Sequence, residues 1–162
     1  MSRRTVLVDI CNTLADINSE IERMTGVARI AGQYRHPSVC PEWFLEHLEV
    51  FANAPVIRGS VEYIHRIAVQ YDVLYVTARP QESESVTREW LRRNGFPDAP
   101  IIFTNNKVAS TRGLDIAFAI DDAPEEIEAY TRAGIFTLIP AWDYNEGYMS
   151  RFVYGKRGQA VC

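Results

Sequence analysis

Four polar stations in this sequence stand at the ends of short apolar runs, and their side chains are of the kinds that handle phosphate. Asp9 follows Val6-Leu-Val, Thr77 follows Val73-Leu-Tyr-Val, Lys107 lies just beyond Ile101-Ile-Phe103, and Asp121-Asp122 follows Ile116-Ala-Phe-Ala-Ile120. Carboxylate oxygens suit a hard divalent cation such as Mg²⁺. An ammonium offsets phosphate charge, and a hydroxyl with backbone N–H groups steadies a developing oxyanion. One of the aspartates is then available as an attacking nucleophile. Taken singly, each has an ordinary alternative. Asp122 before Ala123-Pro124 is a reasonable helix N-cap, Thr77 a strand end and Lys107 a solvated helix residue, with Arg79 and Arg112 as competing cations for a phosphate.

What unites the four is the set of elements that must carry them. Residues 5–10 are almost continuously apolar, as in a parallel strand buried on both faces. Further strands are predicted over 73–77, 101–103, 116–120 and 136–139. Helices are predicted over 60–70, 82–93, 107–112 and 124–133, punctuated by Asn94-Gly95, Gly113 and Gly134. Strand and helix alternate with right-handed crossovers, so the expected fold is α/β: a doubly wound, mostly parallel five-stranded sheet. In such a sheet all four polar stations lie along one carboxyl edge, where open α/β sheets place their chemistry. The alternation lapses over 17–55, which carries helical patterns at 19–25 and 41–51, the latter with Pro41 in its first turn. This predicts a core of residues 1–16 and 56–162, with 17–55 a small helical cap inserted after the first strand and placed over the carboxyl edge. Beyond residue 141 the pattern fades into turn-rich sequence.

In order and position, residues 9–13, Thr77, Lys107 and Asp121-Asp122 resemble the four motifs of the haloacid dehalogenase (HAD) superfamily, over residues 5 to 140. The flanks Pro55-Val-Ile-Arg-Gly59, Tyr75-Val-Thr77-Ala-Arg79-Pro80 and Gly95-Phe96-Pro97 are similar to its 5'(3')-deoxyribonucleotidase and polynucleotide 3'-phosphatase branches. The resemblance implies an HAD-like Rossmannoid core and a Mg²⁺-dependent phosphomonoesterase in which Asp9 becomes an aspartyl-phosphate. It makes Asp9, Cys11, Thr77 and Lys107 the catalytic set. Asp9, Asp121, Asp122 and the main-chain carbonyl of Cys11 are the expected metal ligands. Asn12, Thr13, Ala78, Arg79 and Trp43 are the expected substrate-binding residues, with Tyr34, Arg35, His36 and Phe44 as further candidates on the cap. The partner implied is a small phosphorylated molecule, a nucleotide above a nucleic-acid 3'-end. Cys11 departs from the pattern, because most phosphatases of the superfamily carry a second aspartate there as general acid and base. A thiol is a poor substitute in that role, which predicts slow turnover and keeps open a weakly active or inactive binding protein as the alternative. A receiver-type phosphoacceptor domain fits poorly, since its lysine and acidic pair occur in the opposite order.

Composition sets the outer bounds. A chain of 162 residues, 47% hydrophobic, is sufficient for one packed core. A net charge of −4 without long single-sign runs gives no general reason to bind nucleic acid or an anionic membrane. No apolar run reaches the roughly 20 residues of a membrane span, and the first residues run into a strand without a signal-peptide core, so a cytoplasmic location is expected. Cys11, Cys40 and Cys162 are too few and too scattered for a disulfide framework or a Cys-x-x-Cys zinc site.

Overall fold

The computed structural model describes residues 2–156. Strands β1 (Thr5–Val8), β2 (Asp72–Thr77), β3 (Ile101–Phe103), β4 (Ile116–Ile120), β5 (Thr137–Pro140) and β6 (Arg151–Phe152) form one sheet in the order β3-β2-β1-β4-β5-β6. Every pairing is parallel. The helices are α1 (Ile17–Thr25), α2 (Pro41–Glu46), α3 (Glu49–Asn53), α4 (Ser60–Gln70), α5 (Glu84–Arg93), α6 (Lys107–Ser110) and α7 (Pro124–Arg132). The sheet has one strand more than the five expected. β6 is only two residues long, so it offers no hydrophobic period for sequence reading to detect, and it is held by pairing Ile139 with Arg151 and Pro140 with Phe152.

β1 lies between β2 and β4, and its side chains alternate between two cores. Val6 and Val8 join Ile64, Tyr75 and Trp90 on one face, while Leu7 joins Leu74, Val76, Ala119 and Tyr130 on the other. Burial on both faces is the physical reason the run lacks polar positions until Asp9. Because the strand order changes direction across β1, the ends of β1, β2 and β4 open beside one another. Asp9, Thr77 and Asp121 therefore emerge as neighbours at the carboxyl edge.

The 17–55 segment shares the larger core. Ile17, Ile21, Val50, Phe51 and Ala54 pack with Val6, Val8 and Trp90, and the Trp90 indole donates to the Ala54 carbonyl at 2.9 Å. α1 begins at Asp16, whose carboxylate accepts from the Ser19 N–H at 3.0 Å, and ends at Gly26 with φ 68°, a left-handed stop. The helix expected over 41–51 is two helices. At His47, φ −133° and ψ 55° leave the helical region, and the imidazole Nδ1 takes the Trp43 carbonyl at 2.8 Å. That carbonyl is the acceptor a continuous helix would have given to the His47 N–H. Among the described residues, no helix is long and apolar enough to cross a membrane. Cys11 and Cys40 are free thiols, and Cys162 lies outside the described residues.

Candidate active site

The loop after β1 is folded tightly enough to present several groups at once. The N–H groups of Leu14 and Ala15 both donate to the Ile10 carbonyl, at 2.9 and 3.0 Å, and the Asn12 N–H donates to the Ala15 carbonyl at 2.7 Å. The turn requires φ 57° at Asn12, a left-handed conformation that asparagine tolerates better than most residues. The Asn12 amide is itself tied down: Oδ1 accepts from the Asn18 N–H at 3.1 Å, and Nδ2 donates to Asn18 Oδ1 at 3.3 Å.

At the head of this loop, charges are packed away from water. Lys107, 2% exposed at the start of α6, donates to Asp9 Oδ1 at 2.8 Å and to Asp121 Oδ2 at 2.7 Å. Oxygens of Asp9, Asp121 and Asp122 lie within 4.8 Å of one another. Three carboxylates against one ammonium leave the cluster short of positive charge, so it must hold protons or a cation. Burial pushes the Asp121 carboxyl up to about 7, and the Asp9 charge adds to the rise, outweighing the Lys107 contact that opposes it. Burial likewise drives Asp122 well above the ordinary carboxylate range, with Asp9 and Asp121 adding to it. Burial alone would depress the Lys107 ammonium, but Asp121 and Asp9 overcome this and hold it well above its usual value.

A carboxyl whose folded pKa exceeds its unfolded value binds more protons folded than unfolded between the two, so stability falls as pH rises through that interval. With Asp121 at about 7 against an ordinary 3.8, the metal-free protein is expected to lose stability from about pH 4 to about pH 7. A divalent cation stabilises the ionised carboxylates and should flatten that slope. Melting temperatures measured across this range in chelator and in Mg²⁺ check it; parallel curves would contradict it.

Asp122 is placed by Thr13, expected at the site, and by Tyr144 and Asn145, which sequence reading passed over. Thr13 Oγ1, with one proton to donate, sits 2.9 Å from Asp122 Oδ1 and 3.1 Å from Asp9 Oδ2. The Tyr144 hydroxyl donates to Asp122 Oδ2 at 2.6 Å, and Asn145 Nδ2 to the Asp122 carbonyl at 3.0 Å. Just before that turn, Asp143–Asn145, the Trp142 indole donates to the Asn12 carbonyl at 2.7 Å, and from beyond β6 the Tyr154 hydroxyl donates to the Thr13 carbonyl at 2.8 Å. The aromatic spacing in that stretch was the available signal, but it has no helical or strand period. Tyr144→Phe leaves a buried carboxylate oxygen without its donor and should cost about 1–3 kcal/mol, read by chemical denaturation.

The structure brings most of the expected residues to one cavity of about 430 Å³, walled by Asp9, Cys11, Asn12, Thr77, Ala78, Arg79 and Lys107 on the sheet side. Its other walls include Ile21, Tyr34, Arg35, His36 and Phe44 from 17–55. Asp121, Asp122 and Thr13 stand behind Asp9, buried. Asp122 does not cap α7, whose N-cap is Ala123 without a side-chain bond. Trp43 is not brought to the cavity. It stacks on His47 at 4.4 Å between ring centroids and packs edge-on to Phe44 at 5.4 Å, and Phe44, not Trp43, is on the cavity wall. His36 is buried and bonded through Nε2 to the Val27 carbonyl at 2.8 Å, an architectural role. Burial raises the Cys11 thiol despite the opposing charge of Arg79, so it is protonated at neutral pH.

With this geometry established, comparison with known proteins is decisive for the family. Residues 6–148 match the family model "5' nucleotidase, deoxy (Pyrimidine), cytosolic type C protein". The chain belongs to this family. A protein of Oceanobacillus iheyensis, whose name marks it as an inferred nucleotidase, is 29% identical over 106 residues, 62% of this chain; the match spans 56% of that relative's length. Among solved structures, a haloacid dehalogenase-like family hydrolase from Streptococcus pneumoniae superposes with a TM-score of 0.56 at 12% identity, covering 88% of this chain and 86% of its own. The inferred HAD-hydrolase YfnB of Bacillus subtilis, solved bound to magnesium, gives 0.57 at 15% identity, covering 93% and 92%. The cytosolic type C nucleotidase family thus carries, in this chain, the fold of HAD hydrolases.

Proposed function

We propose that this chain is a Mg²⁺-dependent phosphomonoester hydrolase acting on a nucleotide or another small phosphate ester through an aspartyl-phosphate on Asp9. The observation that carries the reading is the convergence of Asp9, Asp121, Asp122, Thr77 and Lys107 at one buried sheet edge beside a cavity. The donor set fits a hard cation, being all carboxylate oxygen and deficient in positive charge. Asp9 and Asp121, with the Cys11 carbonyl, would hold Mg²⁺, and Asp122, its oxygens engaged by Thr13 and Tyr144, would orient its neighbours. A bound divalent cation supplies charge neutralisation for a phosphoryl group approaching these carboxylates.

Asp9 is the nucleophile at the head of the loop. Lys107, bonded to it, fixes its orientation and is positioned to offset phosphoryl charge. Thr77 lines the cavity and orders the following turn by accepting from the Arg79 N–H at 3.2 Å. The 17–55 segment acts as the cap, supplying the apolar wall that excludes water from the ester and meets the leaving group. Phe44 and Tyr34 are its aromatic contacts. Cys11 occupies the position that protonates the leaving oxygen and activates water, and a protonated thiol serves this poorly, so turnover is slow and the phosphoenzyme persists. The expected location is the cytoplasm.

Phosphate release from nucleoside monophosphates and an aryl phosphate, measured with and without Mg²⁺ in wild type and Asp9→Asn, tests the reading. Mg²⁺-dependent release that Asp9→Asn abolishes is the expected result. Release that survives Asp9→Asn would assign the nucleophile elsewhere, and binding of nucleotide or metal without release would favour a binding protein built on the same site.

A further inference from the structure

We infer that Arg79, with Asn18, forms a subsite for a second anionic group on the leaving-group side, so that the preferred ester is one whose alcohol itself carries a phosphate or carboxylate. The inference deepens the phosphatase reading above and rests on it.

Arg79 is 4% exposed, and a guanidinium keeps its charge inside a protein. Its contacts are all uncharged side chains. Nε donates to Cys11 Sγ at 3.2 Å, a weak acceptor, and Nη1 to Thr87 Oγ1 at 3.0 Å. The guanidinium carbon lies 4.5 Å from the Phe51 ring centre and 6.0 Å from that of Trp90. Nη2 has no hydrogen-bond partner. None of the ion pairs among the described residues includes it. A buried charge without a counter-ion costs several kcal/mol by ordinary desolvation, and the aromatic faces recover only part of that. Lys107, equally buried in the same cavity, has two carboxylates. Arg79 has none among the described residues, and the side chain its Nε meets, Cys11, is a thiol.

Two features direct the missing anion to the leaving-group side. Lys107 already bonds Asp9, where the transferring phosphoryl must arrive, whereas Arg79 packs on Phe51 of the 17–55 segment and Thr87 of α5. The second donor without a partner, Asn18 Nδ2, belongs to α1 of the same segment, and Asn18 is among the residues that line the same cavity. Its amide is fixed because Oδ1 is engaged by Asn12. A phosphate or carboxylate offers the paired acceptors that a guanidinium and an amide N–H call for.

The test compares kcat/KM within matched pairs: a nucleoside 3',5'-bisphosphate against the 5'-monophosphate, and phosphoglycolate against ethyl phosphate. Wild type should favour the doubly charged member of at least one pair by about tenfold or more, the scale of one charge-assisted hydrogen bond, and the pair that responds tells phosphate from carboxylate. Arg79→Met should bring that ratio near one. So should Cys11→Asp, by giving the guanidinium an internal counter-ion, and this second variant keeps the test open if Arg79→Met fails to fold. A wild-type ratio near one in both pairs, or equal losses on both members in Arg79→Met, would overturn the inference, the latter assigning Arg79 to the transferring phosphoryl. If no ester releases phosphate, the phosphatase reading fails by itself. Thermal stabilisation by the bisphosphate beyond the monophosphate, lost in Arg79→Met, would then still support the subsite, and its absence would overturn it.

Discussion

Replacing Cys11 with aspartate is expected to raise Mg²⁺-dependent phosphate release by about 10² to 10⁴, the usual contribution of a positioned general acid and base. The side chain at residue 11 lines the cavity beside Asp9 and lies 3.2 Å from Arg79 Nε. A carboxylate there would meet that guanidinium in a buried ion pair, which holds the new group in place and gives Arg79 its counter-ion. The same substitution should therefore raise the melting temperature, unlike most single substitutions. Cys11→Asn, similar in size but without a transferable proton, separates the two effects and should leave turnover near that of wild type. Unchanged turnover in a folded Cys11→Asp protein would show that position 11 does not limit the reaction.

Lys107→Met is expected to be the most destabilising single change at the site. It removes the ammonium bonded to both Asp9 and Asp121 and leaves three carboxyl groups within 4.8 Å of one another, buried. Breaking a buried pair by deleting one partner costs about 3–5 kcal/mol, because the surviving charge keeps its desolvation penalty. Urea denaturation in chelator should show that loss. Adding Asp121→Asn to Lys107→Met should recover a substantial part of it, since the two residues share one network and their effects are not additive. Mg²⁺ should narrow the gap between Lys107→Met and wild type by supplying the charge the lysine provided. A loss below 1 kcal/mol in chelator would mean that the carboxylates rest as protonated acids and do not depend on the ammonium.

The sheet and its acidic edge were legible in the sequence because both depend on local pattern. Val6-Leu-Val is apolar on both faces since it has a core on both sides, and Asp9 interrupts it where the strand ends. Thr77, Lys107 and Asp121 follow the same rule. What was not legible depends on distance along the chain. Tyr144 reaches Asp122 across 22 positions, Trp142 reaches Asn12 across 130 and Tyr154 reaches Thr13 across 141. None of these aromatic residues sits in a periodic run, so nothing local distinguishes a brace from a surface ring. The break at His47 was hidden for another reason: Trp43, Phe44, Leu48 and Phe51 keep helical spacing through it, and the interruption comes from an imidazole that takes a backbone acceptor.

The hydrogen bond from Tyr154 to the Thr13 carbonyl joins one of the earliest turns of the chain to a residue near the end of the described structure. The two partners are 141 positions apart in the sequence. Closing a loop of this length carries an entropic cost that only the completed sheet offsets, so the pocket becomes competent after the rest of the fold is in place. Until that contact is made, the turn that follows Asp9 lacks the support Tyr154 gives to the Thr13 carbonyl.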